Sequence, residues 1–139
     1  MKLLCFQAKR FHWKTHSKTL AEIADQDIDQ EVYQTVVVFL HAEAADSDAE
    51  RSATVLRQSL KHIKWLANKR ELKNIVLHSF THLGGVTAPA ALAESFLTAL
   101  QQRLSETGYQ VWTTPFGYFC EWDLSVYGES LAKVWKEIH

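Results

Sequence analysis

The sequence of 139 residues has few of the residues that indicate a special covalent or membrane architecture: two cysteines, two prolines and five glycines. Because Cys5 and Cys120 lie far apart in the chain and form no disulfide framework, we expect a reducing, cytoplasmic location. No apolar run approaches the roughly 18 residues of a membrane span. The apolar part of the N-terminus is also too short for a signal peptide. The sequence therefore predicts a cytoplasmic protein with no membrane partner.

Charge of either sign is not in excess, since the formal net charge is −1 at pH 7. This excludes a uniformly basic nucleic-acid binder but not a local basic patch. Apolar residues make up 47% of the chain and charged residues 22%, which is typical of a globular protein rather than a disordered one. No linker, repeat or low-complexity segment divides the chain. We therefore expect one domain, residues 1–139.

Hydrophobic patterning predicts an α/β fold, a single domain with a mixed β-sheet and two main helices. MKLLCFQA and KRFHWKTHSK are read as two strands, VYQTVVVFLHAE and LKNIVLHSF as further strands, and the acidic stretch 19–31 as a loop. A helix over DSDAERSATVLRQSLKHIKWLANKR and a second over roughly 88–106 follow from apolar residues at steps of three and four. Their predicted inward residues are Ala49, Ala53, Leu56, Leu60, Ile63 and Ala67, and then Leu92, Phe96, Leu100 and Leu104.

The boundaries of the second helix carry local signals, with Pro89 at its start and Gly108 after its end. YQVWTT and YFCEWDLSVY are predicted to form a hairpin through PFG, because Pro and Gly suit a tight turn. The tail ESLAKVWKEIH is predicted to be a short helix.

The segment IVLHSFTHLGG contains two histidines four residues apart, His78 and His82. On a helix this spacing would suit zinc, but the segment is strand-like and no third ligand accompanies it, so we predict no metal site. A strand, a Gly-Gly loop and a helix N-terminus favour binding of anions or carbonyl oxygens by free backbone N–H groups. The alternative is an ordinary turn with a solvent-facing His82.

A longer combination of motifs is more specific. NIVLHSFTHLGG, a proline-initiated helix and LSETGYQVWTTPFGYFCEWDLSVYGESLA resemble the archaeal-type editing domain of threonyl-tRNA synthetase. That family reads as a strand into an AHLS-like loop, a helix, GYEV..PFGWYK.F and a closing GHPLAEL, and the resemblance covers nearly the whole chain. It implies a D-aminoacyl-tRNA deacylase-like fold, a homodimer, and hydrolysis of the ester that joins serine to threonine tRNA.

The resemblance also implies a site without a cofactor. An aminoacyl ester is already activated, and the 2′-hydroxyl of the substrate's terminal adenosine assists its hydrolysis, so positioning and oxyanion stabilisation suffice. His82 matches the family's pocket histidine, and the aminoacyl-tRNA 3′ end is the implied partner. The implied substrate-binding residues are His78, Thr81, Leu83, Gly84, Gly85, Pro115, Phe116, Gly117, Tyr118 and Phe119.

Several positions depart from the family pattern. The family's lysine falls at Cys120, its tyrosine at Phe119 and the glutamate of its closing motif at Lys133, while the His-Pro of that motif is Glu129–Ser130. The change at Cys120 removes a cation that would orient water or bind phosphate. The charge reversal at Lys133 removes the natural partner of a substrate ammonium.

These departures leave two interpretations open. One is compensation, in which Lys133 restores the cation and Glu121 or Glu129 the anion, although strand alternation turns Glu121 to the opposite face from Cys120. The other is a lost or changed activity, including a nucleophilic pair of Cys120 with His82. A lone cysteine on a strand is more often a small buried apolar group. The candidate catalytic residues are thus His82, Cys120 and Lys133.

One strand face is basic, because period-two alternation in KRFHWKTHSK places Arg10, His12, Lys14, His16 and Lys18 together. The opposite face, with Trp13, can pack on a core. The ordinary interpretation of such a face is solvation and protection against edge pairing. Beside an aminoacyl-ester site, these five side chains become candidates for binding acceptor-end phosphates, and Trp13 for stacking on a base.

The function predicted from the sequence is a trans-acting aminoacyl-tRNA deacylase for seryl-tRNA(Thr)-like or D-aminoacyl-tRNA substrates. The alternative is a noncatalytic module that binds RNA, a nucleotide or an amino acid with the same fold. A third possibility is hydrolysis of another small ester or amide. Because 139 residues leave no room for a synthetase catalytic core, we expect a freestanding protein or a fragment.

Overall fold

The structure, a computed structural model, describes all 139 residues and contains six strands and two α-helices. None of its helices combines the length and apolarity needed to cross a membrane. In chain order the elements are β1 (Lys2–Lys18), β2 (Asp29–His41), α1 (Ala49–Asn68), β3 (Asn74–Ser79), α2 (Ala90–Glu106), β4 (Gln110–Thr113), β5 (Tyr118–Val126) and β6 (Lys133–Glu137).

The six strands form one mixed sheet in the order β4-β3-β2-β1-β5, with β6 also paired to β1. Strand β1 is antiparallel to β2, β5 and β6, whereas β2, β3 and β4 run parallel to one another. On one side, β1 pairs with β6 along Lys2–Phe6 and then with β5 along Ala8–Lys18. The predicted α/β fold, a single domain with a mixed sheet and two main helices, is confirmed.

Two apolar clusters cover the two faces of this sheet. The larger one lies between the sheet and the helices and includes Cys5, Val38, Ile63 and Leu100. The smaller one, on the other face, is centred on four buried side chains, Phe11, Trp13, Phe39 and Val76. Because strand residues alternate between faces, β2 and β3 supply apolar side chains to both clusters and read as continuous hydrophobic runs.

A bulge in β1 explains why its sequence looks like two strands. The pairing of β1 with β5 shifts register between Ala8 and Arg10. Before the shift, Phe6 contacts the smaller cluster, and after it Phe11 and Trp13 belong to the same cluster. An inserted residue changes the parity of a strand, so the apolar positions move from even to odd numbers. The predicted pair of N-terminal strands is therefore one strand of 17 residues.

Helix α1 begins at Ala49, where the Asp48 side chain accepts a hydrogen bond from the Arg51 amide. Its buried face differs from the predicted stripe, since Ala49 and Ala53 are exposed and Leu56 is half-buried. Alanine occurs on either side of a helix, and the larger side chains decide which face is buried. The buried residues are Val55, Ser59, Leu60, Ile63, Leu66 and Ala67.

Helix α2 follows the prediction closely. Pro89 is its N-cap, and Phe96, Leu100 and Leu104 are buried, with Leu92 half-buried. Gly108, with a φ of +98°, ends the helix in the left-handed conformation that favours glycine.

Two predictions for the C-terminal third are wrong. Strands β4 and β5 do not form a hairpin, because β4 pairs with β3 and β5 pairs with β1, at opposite ends of the strand order. The tail is a short 3₁₀ turn, Ser130–Ala132, followed by β6 rather than a helix. Pairing of the tail with the first residues of β1 satisfies backbone groups that a helix there would leave unpaired, and it packs Val134 on the larger cluster.

A buried charge cluster fixes the start of β1 to the segment that follows β2. The Met1 ammonium lies 2.8 Å from both the Glu43 and Asp46 carboxylates and donates to the Ile138 carbonyl oxygen at 3.2 Å. Asp46 is fully buried and also accepts from the Arg51 guanidinium at 3.0 Å. Removing one partner of a buried ion pair leaves the other charge uncompensated, which is costly.

Asp46→Asn is expected to lower the free energy of unfolding by about 3 kcal/mol, because it removes the buried anion between two cations. The neighbouring Asp48→Asn makes the same chemical change at an exposed N-cap, where asparagine caps almost as well, and should cost under about 0.5 kcal/mol. Urea denaturation of both variants measures the difference. Equal losses at the two positions would contradict a structural role for the cluster.

Candidate active site

A cavity of about 350 Å³, the first cavity, opens at the carboxyl end of β3. Its walls come from the β3–α2 connection and from the segment that leads into β5. Ligands of α/β folds often bind beyond the carboxyl ends of parallel strands. Nine sequence-predicted residues line it, namely His78, Thr81, His82, Pro115, Phe116, Gly117, Tyr118, Phe119 and Cys120.

His78 is buried at the end of β3. Its Nδ1 atom is 2.8 Å from the Thr114 hydroxyl, and its ring packs 5.1 Å from the ring centre of Phe39. Burial lowers the pKa of His78 to about 4. The imidazole is therefore neutral near pH 7 and acts as a hydrogen-bonding wall rather than as an acid.

His82 lies on the loop after β3 and is exposed, with its ring edge-on to Phe80 at 5.1 Å. The two histidines thus occupy a strand and a loop, and their spacing does not place them on one helical face. The structure also contains no group of three or more His, Cys, Asp or Glu side chains arranged to hold a metal ion.

Backbone amides on the same loop remain available to a ligand. The Phe80 amide donates to the Leu40 carbonyl oxygen at 2.8 Å, and the Leu83 amide donates to His41 Nδ1 at 3.2 Å. Between them, the amides of Thr81 and His82 have no protein acceptor, and both residues line the first cavity. Adjacent free N–H groups in a partly closed site suit a carbonyl oxygen that gains negative charge.

His41 holds this loop in place, a role that the sequence did not reveal. Its Nδ1 accepts from the Leu83 amide, so in the neutral ring Nε2 carries the proton and donates to the Thr87 hydroxyl at 2.9 Å. Burial lowers the pKa of His41, which favours the neutral ring. The imidazole therefore ties both ends of the 83–87 turn to the end of β2.

Three predicted binding residues, Leu83, Gly84 and Gly85, lie outside the lining of the first cavity. Gly84 and Gly85 have φ values of +98° and +85°. The Gly84 carbonyl oxygen accepts from Lys2 at 2.9 Å, and a Cβ at Gly85 would lie 2.7 Å from a Glu43 carboxylate oxygen. These glycines let the loop pack against the Lys2–Glu43 ion pair rather than against a ligand.

The β1–β2 loop forms a further wall that the weakly patterned sequence 19–31 did not indicate. Thr19 and Leu20 line the first cavity. The Thr19 amide donates to the Gly117 carbonyl oxygen at 2.7 Å, and the Tyr118 hydroxyl accepts from the Gln26 amide at 2.7 Å. Gly117, with a φ of +82°, is packed so closely that a Cβ would collide with the Ile23 side chain.

Cys120 lines the first cavity on the same strand face as Tyr118 and Trp122. Burial raises the pKa of the Cys120 thiol, and no hydrogen bond joins it to His82. The group is therefore a neutral thiol at pH 7, which argues against a Cys120–His82 nucleophilic pair.

The proposed compensating charges do not reach the cavity. Lys133 donates to the carbonyl oxygens of Tyr127 and Gly128 at 3.0 and 3.3 Å. Glu129 pairs with Arg70, and Glu121 is absent from the cavity lining. The first cavity consequently has no Asp, Glu, Lys or Arg in its wall.

The basic face of β1 is largely neutralised by acidic neighbours. Three of its members are ion-paired, as Arg10 with Glu31, His12 with Asp29 and Asp123, and Lys18 with Asp25. The two aspartates raise the pKa of His12. Lys14 and His16 make no ion pair. Because β1 lies inside the sheet, the charges of Arg10 and His12 form cross-strand pairs and do not protect an edge.

Comparisons with known proteins agree with this architecture. The family model described as the archaea-specific editing domain of threonyl-tRNA synthetase matches residues 1–138. Threonine–tRNA ligases of Methanosphaerula palustris and Staphylothermus marinus are 30% and 28% identical to the chain, each over 99% of its length. The chain spans 22% of the length of these relatives.

The solved structure of a c-Myc DNA unwinding element binding protein aligns over 99% of this chain and 98% of its own, with a TM-score of 0.67 and 15% identity. At this level of identity the likeness shows a shared fold. The chain belongs to the family of the archaea-specific editing domain of threonyl-tRNA synthetase. The resemblance inferred from the sequence motifs is thereby confirmed.

Acid is expected to destabilise the protein through His78. Its folded pKa of about 4 lies below the ordinary 6.5, so below pH 6.5 the unfolded chain binds a proton that the folded state does not. This stabilisation is complete above pH 6.5 and is lost as the pH falls to about 4. At about 1.4 kcal/mol per pKa unit, the loss is about 3 kcal/mol.

Urea denaturation between pH 7 and pH 4 tests this expectation. The unfolding free energy of the wild type should fall about 3 kcal/mol further than that of His78→Gln. His16→Gln, which removes an exposed imidazole from β1, is the control for loss of a ring. Identical pH dependence of the wild type and His78→Gln would rule out the buried imidazole as the cause.

Proposed function

We propose that the chain hydrolyses the ester of mischarged aminoacyl-tRNA, of the seryl-tRNA(Thr) or D-aminoacyl-tRNA type, in the cytoplasm. The observation that carries this proposal is the pair of unpaired amides, Thr81 and His82, in the wall of a neutral cavity. Membership of the editing-domain family supports it. The ligand is the aminoacyl-adenosine 3′ end of the tRNA, and no cofactor takes part.

The size and chemistry of the first cavity suit this ligand. About 350 Å³ falls within the range of small-molecule sites. Phe116 and Phe119 supply aromatic surface for the adenine, since base–aromatic stacking tolerates any base. The hydroxyls of Thr87 and Thr114 are polar groups for the ribose and the amino acid.

The reaction needs little beyond positioning. Water attacks the ester carbonyl carbon, and the charge that develops on the carbonyl oxygen is stabilised by the Thr81 and His82 amides. The bond from the carbonyl carbon to the ribose oxygen then breaks, and the leaving oxygen takes the proton of the neighbouring ribose hydroxyl, which regains a proton from solvent. The His82 imidazole, which lines the cavity and reaches solvent, accepts the proton of the attacking water.

The remaining predicted residues have supporting roles in this scheme. Neutral His78 holds the Thr114 hydroxyl and so fixes the opposite wall. Cys120 fills space as a small thiol beside Phe80 and Trp122. Lys133 is assigned no catalytic role, because its ammonium is bound by carbonyl oxygens outside the cavity.

A second candidate function is binding without hydrolysis. It is favoured by the absence of any carboxylate in the wall to pair with a substrate ammonium, and by a thiol at the family's lysine position. An unpaired ammonium is costly to desolvate, so an aminoacyl ligand would rely on carbonyl oxygens and water there. Turnover assays separate the two candidates.

His82→Ala is expected to lower kcat for deacylation of seryl-tRNA by about 100-fold, because the proton acceptor is removed. Cys120→Ala should leave kcat within about twofold, because a protonated thiol is a poor nucleophile. Release of free serine from labelled seryl-tRNA(Thr) and of free D-amino acid from D-aminoacyl-tRNA measures both rates.

Loss of activity in Cys120→Ala with retention in His82→Ala would reverse the assigned roles. Tight binding of the charged tRNA 3′ end by the wild type without release of the amino acid would favour the noncatalytic module. Both variants are first compared with the wild type by thermal unfolding, so that a folding defect is not read as a catalytic one.

We also propose a homodimer formed through the sheet face opposite the helices. Trp135 on β6 is 53% exposed and lies across from half-buried Leu4, beside Phe6. Trp122, which packs against Phe39 on the same face, is 40% exposed. Aromatic side chains of this size on one sheet face are typical of protein–protein contacts.

Trp135→Lys is expected to convert a dimer of twice the 15.9 kDa chain mass into a monomer, because it places a charge within the apolar interface. The control is Trp65→Lys on α1, where the tryptophan is 43% exposed on the helical side. Sedimentation velocity reads the masses. A monomeric wild type, or a dimer unaffected by Trp135→Lys, would exclude this interface.

Phosphate contacts of the tRNA body are proposed for β1 only through Lys14 and His16, which have no ion-pair partners. Arg10, His12 and Lys18 are already engaged by carboxylates. The neighbouring carboxylates offset the positive charge of these three side chains, so their attraction for phosphate is reduced.

A further inference from the structure

A second cavity, of about 340 Å³, lies on the other side of the segment 114–116. Thr114, Pro115 and Phe116 line both cavities, so one stretch of chain is their common wall. The β1–β2 loop also contributes to both, through Thr19 and Leu20 to the first and through Gln26 and Ile28 to the second. The two cavities are therefore neighbours with shared walls.

Two tryptophans, Trp13 and Trp112, line the second cavity. Trp13 is 1% exposed, and its indole Nε1–H has no hydrogen-bond acceptor. Its ring is held by stacking on Phe11 at 5.5 Å, so Trp13 is a closed part of the cavity wall and not a surface that a ligand can stack on. Trp112, half-buried on β4, forms no aromatic pair with another residue of the protein, and its ring lies in the same wall.

The other polar groups of the second cavity disfavour binding of a phosphate and favour binding of a nucleobase. Gln26, Gln30 and Gln101 each supply an amide donor and an amide acceptor, and Glu94 supplies a carboxylate. No Lys or Arg lines the cavity. A carboxylate repels a phosphate, whereas it accepts a hydrogen bond from the exocyclic amine of cytosine. The half-buried ring of Trp112 provides a stacking surface for a base.

We infer that the second cavity binds the nucleobase of the penultimate nucleotide, a cytosine in a CCA acceptor end, while the terminal aminoacyl-adenosine occupies the first cavity. This inference rests on the proposed function, from which it takes the acceptor end as ligand. The shared wall is a single stretch of chain, residues 114–116, so consecutive bases can lie on its two sides. The structure thus assigns recognition of two nucleotides to adjacent sites.

Binding of short probes that carry no aminoacyl ester tests this assignment without any hydrolysis. Isothermal titration compares adenosine with the dinucleotide cytidylyl-(3′→5′)-adenosine. The dinucleotide is expected to bind at least about tenfold more tightly than adenosine, as one stacked base implies. Trp112→Ala should abolish this advantage without changing the affinity for adenosine, and Trp112→Phe, which keeps an aromatic face, should restore most of it.

Glu94→Gln, an exposed change on α2, tests the base identity. The wild type should prefer cytidylyl-adenosine to uridylyl-adenosine by about fivefold or more, and the variant should lose that preference. Equal binding of adenosine and the dinucleotide by the wild type would overturn the inference, as would an advantage that survives Trp112→Ala.

The outcome is distinguishable from that of the proposed function. Absence of deacylation together with an intact dinucleotide advantage would overturn hydrolysis and support the second cavity as a base site. Deacylation with no dinucleotide advantage would support hydrolysis and overturn the base site. Thermal unfolding of each variant confirms that the comparisons are made on folded protein.

Discussion

Backbone pairing along β1 is the constraint on which the rest of the structure depends. This one strand hydrogen-bonds to β2, β5 and β6, so it joins the parallel half of the sheet to both C-terminal strands. The bulge near Lys9 keeps Phe6, Phe11 and Trp13 on one face although their parity differs. Without the extra residue, the distal half of β1 would turn its aromatic side chains to the opposite face and its charges into the smaller cluster. The aromatic face that this bulge preserves contributes Trp13 to the wall of the second cavity.

How far the sequence predicts the fold depends on how local each signal is. Helix α2 carries its own boundaries in Pro89 and Gly108, and its buried face follows from residue spacing alone. The pairing partner of a strand is not a local signal. The sequence PFG suits a hairpin turn and also a longer connection between distant strands, and β5 pairs with β1 because that side of β1 has no other partner there. The predicted helix in the tail is wrong for the same reason, since KVWKE becomes a strand by pairing with residues more than 100 positions earlier.

The sequence predicts the parts of the candidate site that lie in a recognisable motif. It does not predict the residues that only line the cavity or hold its loops in place. The loop after β3 and the PFGYFC segment meet in the first cavity as expected. The lining from Thr19 and Leu20, and the hold of His41 on the 83–87 turn, come from elements with no distinctive sequence. The sequence predicts that the glycines of the loop contact a ligand, whereas in the structure they lie against the Lys2–Glu43 ion pair. A short side chain in a loop indicates a close approach without saying which group approaches.

A neutral wall has a consequence for how such a protein would respond to ionic strength. Attraction between basic side chains and phosphates weakens steeply as salt rises, because released counterions lose their entropic advantage. Recognition by backbone amides, hydroxyls and aromatic rings has no such dependence, and the first cavity offers only groups of this kind and two imidazoles. Higher salt would therefore weaken binding to the phosphates of a nucleic acid and leave the selectivity of the first cavity for its ligand almost unchanged. Total affinity and selectivity would thus depend on salt to different extents.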